Sequence, residues 1–163
     1  MRMGPNRRLS LAIVAVVAAD WLTKFWVQNR LYENGVLPVV RNWVWLTHRR
    51  NAGVSFSFLA DAPAVVRLPI VVGAAIAGIA VCARMLASTR DRGVALAAAL
   101  VIAGAVGNLG DRLLNGGVTD FIQIRFFPFV FNVADVAITV GAVLLLARMA
   151  LHGERESDGH APA

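Results

Sequence analysis

Side chains that build metal centres and disulfides are scarce in this chain. The 163 residues include one cysteine, Cys82, and three histidines, at positions 48, 152 and 160. A single cysteine excludes an intramolecular disulfide and a cysteine-based metal cage, and the histidines follow no metal-ligand spacing. The sequence therefore predicts no metal site.

Acidic residues are also few, with 10 Asp and Glu against 16 Lys and Arg, which gives a net charge of +6. An excess of basic residues can indicate nucleic-acid binding, but here the basic residues are scattered through short loops and flanks. We interpret them as contacts with the membrane surface and expect no nucleic-acid partner. Their density favours both termini in the cytoplasm, because Arg84, Arg90 and Arg92 crowd one short loop.

Apolar residues are abundant, at 58% of the chain, which indicates a single integral membrane domain over residues 1–163. Four segments have the roughly 20 residues that a membrane-spanning helix needs, at 9–29, 64–86, 94–114 and 129–149. Basic residues ahead of the first segment also allow a cleaved signal peptide. We favour a retained helix because apolar character resumes at Trp21 and three more spans follow. The tail 154–163 is predicted to be disordered.

The segment 30–63, between the first two spans, is predicted to lie at the outer membrane surface and to contain strands. Residues 43–48 alternate with the period of a half-buried strand, Asn51-Ala52-Gly53 is a turn signal, and residues 55–58 alternate again. An aromatic-rich surface loop is the alternative. The predicted fold is an all-α membrane protein, a four-transmembrane-helix bundle with a small extracytoplasmic β-containing segment between helices 1 and 2.

Charged and amide side chains interrupt three of the four predicted helices, the first, the third and the fourth. Asp20 and Lys24 are four residues apart with the acid first, so their side chains can meet, and we interpret them as a structural ion pair. Asn108, Asp111 and Arg112 share one face of the third helix. Two roles stay open there: Asp111 neutralises Arg112, or Arg112 is aimed at a ligand carbonyl while Asp111 holds the helix end.

Of the four aspartates at positions 20, 111, 120 and 135, Asp120 and Asp135 have no basic residue at helix-neighbour spacing. A charge at the bilayer centre costs at least ~2.5–3.5 kcal/mol, so these acids must converge on each other, on cations or on water. Two carboxylates brought together share a proton, which is the state that a water-activating pair needs. A proton or ion relay and structural polar packing remain as alternatives.

Five blocks follow one another along the chain: Asp20-Trp21-Leu22-Thr23-Lys24, Asn51-Ala52-Gly53-Val54-Ser55-Phe56-Ser57, Gly107-Asn108-Leu109-Gly110-Asp111-Arg112, Val118-Thr119-Asp120-Phe121 and Phe131-Asn132-Val133-Ala134-Asp135. In this order they resemble the bacterial lipoprotein signal peptidase family, also called signal peptidase II. The resemblance covers nearly the whole chain. Departures are small: Trp21 stands where the family usually has Gln, Ser55 where a small apolar residue is common, and Val136 where Ser is common.

The resemblance implies an aspartic endopeptidase whose catalytic pair is Asp120 and Asp135. The residues that it implies to bind substrate or support the pair are Asn51, Gly53, Asn108, Arg112 and Asn132, with Asp20, Lys24 and Asp111 as structural polar residues. The implied reaction is hydrolysis of the bond before a diacylglyceryl-modified cysteine, without a metal or organic cofactor. Lipidated prolipoproteins and membrane lipid are the expected partners of a monomer in the bacterial inner (cytoplasmic) membrane, with its active site near the outer leaflet.

Two other classes of protein also place acids in membrane helices. A proton-coupled transporter or channel uses them as a relay, although the chain shows no pair of discontinuous repeats. A non-catalytic scaffold uses them only to join helices.

Overall fold

The computed structural model describes residues 5–52 and 63–158, with side chains described for 7–52 and 63–151. The elements in these ranges are α1 (Pro5–Arg30), β1 (Val36–Val40), β2 (Val44–Asn51), α2 (Ala64–Ser88), α3 (Arg92–Asn115), β3 (Val118–Ile124), β4 (Val130–Phe131) and α4 (Val133–Asp158). Four helices of this described part are long and apolar enough to span a membrane. The predicted four-helix membrane protein is confirmed to that extent.

One antiparallel sheet joins two distant parts of the chain. Its strand order is β1-β2-β3-β4, and β2 pairs with β3 across the join. β1 and β2 lie between α1 and α2, as predicted, whereas β3 and β4 lie between α3 and α4. The expectation of an all-α protein with strands only between helices 1 and 2 was therefore too narrow. The extended run Val118–Ile124 satisfies its backbone groups against β2, so the two segments form one sheet.

The hairpin between α1 and α2 differs from the prediction. The run that follows Trp43 does form a strand, β2, but its hairpin partner is the preceding strand β1. The turn between them contains Asn42 at a φ of 62°, a left-handed conformation that Asn tolerates better than most residues. The predicted turn at Gly53 and the second alternating run, 55–58, lie outside the described residues.

The helix ends also shift from their predicted positions. α4 begins at Val133 instead of residue 129, because Val130 and Phe131 pair with β3 as a short strand. At its other end α4 continues to Asp158, so the first part of the tail predicted to be disordered, 154–158, is helical. The rest of that tail lies outside the described residues.

α3 is the central helix, since it packs against α1, α2 and α4. Small residues allow the close approach of α4: a Cβ on Gly104 would overlap the carbonyl oxygen of Ala134, and one on Gly141 would lie 2.7 Å from the carbonyl oxygen of Ala97. The glycines of α2 make no such contact, because no described atom lies within 4 Å of a Cβ placed on Gly73 or Gly78. The tightest glycine contacts therefore belong to α3 and α4.

We predict that Gly104→Ala destabilises the protein by about 1–3 kcal/mol, the usual cost of an added methyl group in a packed interior. Gly73→Ala is the matched control and should change stability by less than about 0.5 kcal/mol, as surface substitutions usually do. Unfolding by SDS titration in mixed micelles measures both. Equal effects of the two substitutions would contradict the packing described for α3 and α4.

Candidate active site

Asp120 and Asp135 lie where the sheet meets the helices. Asp120 is on β3, and Asp135 is in the first turn of α4. β3 pairs with β4, and only Asn132 separates β4 from α4. This antiparallel connection returns the chain from the strand that carries one acid to the helix that carries the other.

Asn132 contacts both acids and is fully buried. Its side-chain Nδ2 donates to Asp120 Oδ1 at 2.6 Å, and its side-chain Oδ1 accepts from the backbone N–H of Asp135 at 2.9 Å. In return, Asp135 Oδ2 accepts from the backbone N–H of Asn132 at 3.2 Å. This reciprocal pair is the arrangement of a helix capping box. The start of α4 therefore fixes the position of Asp135 and ties it to Asp120.

Asp120 is almost fully buried, with 3% of its surface exposed. Its second carboxylate oxygen, Oδ2, accepts from Asn51 Nδ2 at 2.9 Å. Burial, together with the nearby charge of Asp135, raises the pKa of Asp120 to about 6 against the opposing effect of the amide donors of Asn51 and Asn132. Asp120 can therefore exchange a proton close to neutral pH.

Asp135 accepts a hydrogen bond from a side-chain amide of α3, and that amide is in turn fixed by a residue of α1. Asn108 Nδ2 donates to Asp135 Oδ1 at 2.8 Å. Asn108 Oδ1 accepts from Lys24 Nζ at 2.9 Å. Because Lys24 can only donate, it fixes which end of the Asn108 amide faces Asp135. The ammonium group of α1 thereby orients a carboxylate of α4.

Lys24 has two further partners, both carboxylates. Its Nζ lies 2.8 Å from Asp20 Oδ2 and 3.7 Å from Asp111 Oδ2. All three side chains are buried, with at most 5% of their surface exposed. The predicted contact between Asp20 and Lys24 is present, and Asp111 joins it.

The same two carboxylates hold the backbone beside each acid of the pair. Asp20 Oδ1 accepts from the backbone N–H of Ala134, the residue before Asp135, at 2.9 Å. Asp111 Oδ2 accepts from the backbone N–H of Thr119, the residue before Asp120, at 2.6 Å. One ammonium group therefore supports two carboxylates. One of them positions the helix segment of the site, and the other positions the strand segment.

Arg112 lies beside this cluster on α3. Its Nη1 donates to the carbonyl oxygen of Asn108 at 3.3 Å, and its charge interacts with Asp135, Asp120 and Asp111. The carboxylate of Asp111 accepts from Asn115 as well as from Thr119. Of the two roles considered for this pair, the contacts match Asp111 as a structural acceptor, with Arg112 close to both acids.

The structure brings most of the residues singled out from the sequence into one connected cluster: Asp20, Lys24, Asn51, Asn108, Asp111, Arg112, Asp120, Asn132 and Asp135. Gly53 lies outside the described residues. Among the residues that the structure describes, no group of three or more His, Cys, Asp or Glu side chains is arranged to hold a metal ion.

Sequence reasoning missed three members of the network, Gln28, Asn115 and Thr119. Gln28 Nε2 donates to Thr119 Oγ1 at 2.6 Å, which adds a second link from α1 to β3. A signal was present, because Asp20, Lys24 and Gln28 recur every four residues on one face of α1.

The arrangement suits chemistry on a molecule held between two acids. Asp120 has a raised pKa and an acidic neighbour, so one member of the pair can be protonated while the other is ionised. Such a pair can take a proton from water and donate one to a carbonyl oxygen.

Comparisons with known proteins agree on one family. A family model described as signal peptidase (SPase) II matches residues 12–151. A protein named lipoprotein signal peptidase from Caldanaerobacter subterraneus subsp. tengcongensis is 36% identical over 84% of this chain and 92% of its own length. Another of that name, from Pseudomonas putida, is 35% identical over 98% of this chain and 95% of its own length.

The fold is also found among solved structures. One bacterial membrane enzyme, solved by the in meso method, matches with a TM-score of 0.82 over 96% of this chain and 94% of its own, at 24% identity. A second one matches with a TM-score of 0.78 over 87% of this chain and 92% of its own, also at 24% identity.

We predict that Lys24→Met destabilises the protein by roughly 3–5 kcal/mol, because it leaves two buried carboxylates without their shared cation. Arg148→Met is the matched control, since the Arg148 ion pair with Asp91 is 44% and 24% exposed and should contribute at most ~1 kcal/mol. SDS titration of purified protein measures both. A loss for Lys24→Met no larger than that of the control would show that the cluster does not depend on its cation.

Proposed function

The chain belongs to the signal peptidase II family, and on that premise we propose that it is a membrane aspartic endopeptidase that removes signal peptides from prolipoproteins. The bond hydrolysed is the one before a diacylglyceryl-modified cysteine. The observation that carries the proposal is the contact of Asn132 with both carboxylates: its side-chain Nδ2 lies 2.6 Å from Asp120 Oδ1, and its backbone N lies 3.2 Å from Asp135 Oδ2. Two acids held by one buried residue can face the same water molecule.

In the proposed reaction the two acids have different roles. Asp120 carries the shared proton, a role supported by its burial and its pKa of about 6. Asp135 accepts a proton from water as the water oxygen attacks the scissile carbonyl, and Asp120 donates its proton to the carbonyl oxygen. When the tetrahedral intermediate collapses, the proton held by Asp135 passes to the leaving amine and Asp120 regains its own.

The surrounding side chains position these groups. Asn108 holds Asp135, while Asn51 and Asn132 hold Asp120. Arg112 supplies positive charge beside both acids and is proposed to bind the substrate backbone, and Gly53 is proposed to line the same site. No metal or organic cofactor enters this mechanism.

The membrane arrangement completes the proposal. We place both termini in the cytoplasm of a bacterium and the site near the outer leaflet of the inner membrane, where the lipid of the substrate resides. Polar site residues cluster at one end of α1, α3 and α4, which supports a site near a membrane surface. The protein is proposed to act as a monomer on lipidated prolipoproteins.

We predict that Asp120→Asn and Asp135→Asn each lower the rate of cleavage of a lipidated precursor roughly 10²–10⁴-fold, the usual contribution of general acid–base groups. The matched control is Asp91→Asn, because Asp91 caps α3 through Gly93 and Val94 and Asn caps helices equally well. Purified variants in detergent are assayed by gel mobility of the precursor.

The same assay separates the competing classes. The peptidase cleaves the lipidated precursor, leaves the unlipidated form intact, and keeps its activity in the control variant. A transporter or a scaffold releases no fragment from either form. Cleavage that survives both substitutions would remove the acid pair from the mechanism.

We also predict a pH effect that shows which of the two aspartates carries the shared proton. Asn51 stabilises the ionised form of Asp120, so Asn51→Leu raises the pKa of Asp120. If Asp120 is the proton donor, the alkaline limb of kcat/KM moves to higher pH in this variant. A shift of the acidic limb instead would make Asp120 the base and reverse the proposed roles.

A further inference from the structure

Two turns meet at one end of the sheet and form a cluster that the site does not use. One turn joins β1 to β2 at residues 41–43, and the other joins β3 to β4 at residues 125–129. The backbone N–H of Arg125 donates to the carbonyl oxygen of Trp43 at 2.9 Å, which ties the turns together. We define the aromatic tip as Trp43, Arg125, Phe126, Phe127 and Phe129.

The side chains of the aromatic tip pack against one another around a cation. The Arg125 guanidinium carbon lies 4.8 Å from the ring centre of Phe126 and 5.7 Å from that of Trp43. These two rings meet edge to face at 6.2 Å. Phe127 makes similar contacts with Phe129 and Phe131, at 5.7 and 5.6 Å. The tip is therefore an organised surface with a fixed positive charge.

This organised surface is exposed and partly strained. Phe126 is 83% exposed and Trp43 is 54% exposed. Phe126 also has a φ of 67°, a left-handed conformation that is unfavourable for a residue with a bulky side chain. The Phe126 ring buries little of its surface within the protein. Packing alone therefore does not explain why it is held on a strained backbone.

The charges around the aromatic tip are all positive. Residues 36–43 and 122–131 contain Arg41 and Arg125 and no acidic residue. The adjoining strand β1 adds exposed apolar side chains, so the apolar surface continues along the sheet. Aromatic rings beside arginine, without acids, match the chemistry of a phospholipid interface, where aromatic rings lie at headgroup level and guanidinium groups bind phosphate.

We propose that the aromatic tip docks into the headgroup layer of the outer leaflet, with the Arg125 guanidinium bound to a lipid phosphate and the Phe126 and Trp43 rings among the headgroups. Insertion of the rings into the interface offsets the strain at Phe126. The lipid surface is thus the partner of this end of the sheet.

Docking at the tip bears directly on the acid pair. The turn 125–129 is the connection between the strand that carries Asp120 and the helix that carries Asp135. Fixing this turn at the membrane surface fixes the height of both acids relative to a substrate embedded in the same leaflet. This consequence rests on the proposed function, whereas the lipid contact itself does not.

The test replaces Phe126 with the photocrosslinker benzoylphenylalanine in protein reconstituted into vesicles of equal parts phosphatidylglycerol and phosphatidylcholine. Intact-mass analysis after illumination should find lipid adducts. The control is the same protein without the crosslinker, illuminated in the same vesicles, which should give no lipid adducts. Adducts of position 126 with a second copy of the chain or with added precursor peptide, in place of lipid, would overturn the proposal.

A second measurement tests the phosphate contact without changing the rings. One arginine near an anionic surface contributes about fivefold in affinity, so adducts should favour phosphatidylglycerol by about fivefold. Arg125→Gln should remove this preference, while Arg30→Gln, at the end of α1, should keep it. Lipid adducts that show no preference for phosphatidylglycerol while Arg125 is in place would overturn the assignment of Arg125. Because crosslinking needs no hydrolysis, its result is independent of whether the protein is a peptidase.

Discussion

The buried Lys24 ammonium is shared by three acceptors, and each of them acts on a different part of the site. Asp20 holds the start of α4, Asp111 holds β3, and Asn108 orients a carboxylate. A buried cation with two buried carboxylates is costly to assemble unless its hydrogen bonds are satisfied. Here Asp20 Oδ1 and Asp111 Oδ2 accept from backbone N–H groups, and Asp111 Oδ1 accepts from the Asn115 side chain. Helix packing and site geometry therefore depend on the same contacts.

The acid of α4 is also part of the helix that presents it. Asp135 and Asn132 cap the first turn of α4 through reciprocal hydrogen bonds, so the backbone start and the carboxylate position are set together. Asn132 then extends this fixed geometry to Asp120. A site built in this way needs little rearrangement to face one water molecule with two acids, which is what the proposed hydrolysis requires.

The sequence predicted the local features of the fold better than its long-range pairings. Long apolar runs identified the four helices, because a span needs length and hydropathy alone. The hairpin partner of β2 was missed, since β1 is a short apolar run with a proline and no alternation. β4 has two residues, too few for any period. Asn132 fell inside the predicted helix 129–149, although its spacing to Asp135 is that of a capping box. Contacts such as Gln28 with Thr119 join residues far apart in sequence, which local patterns do not encode.

The most direct test of the acid pair is a structure of the protein with a peptide-like inhibitor that carries a hydroxyl group in place of the scissile carbonyl. That hydroxyl stands in for the attacking water or the tetrahedral intermediate. The account predicts that its oxygen lies within hydrogen-bonding distance, roughly 2.6–3.2 Å, of a carboxylate oxygen of both Asp120 and Asp135. A hydroxyl bound by other groups, with either acid out of reach, would contradict it.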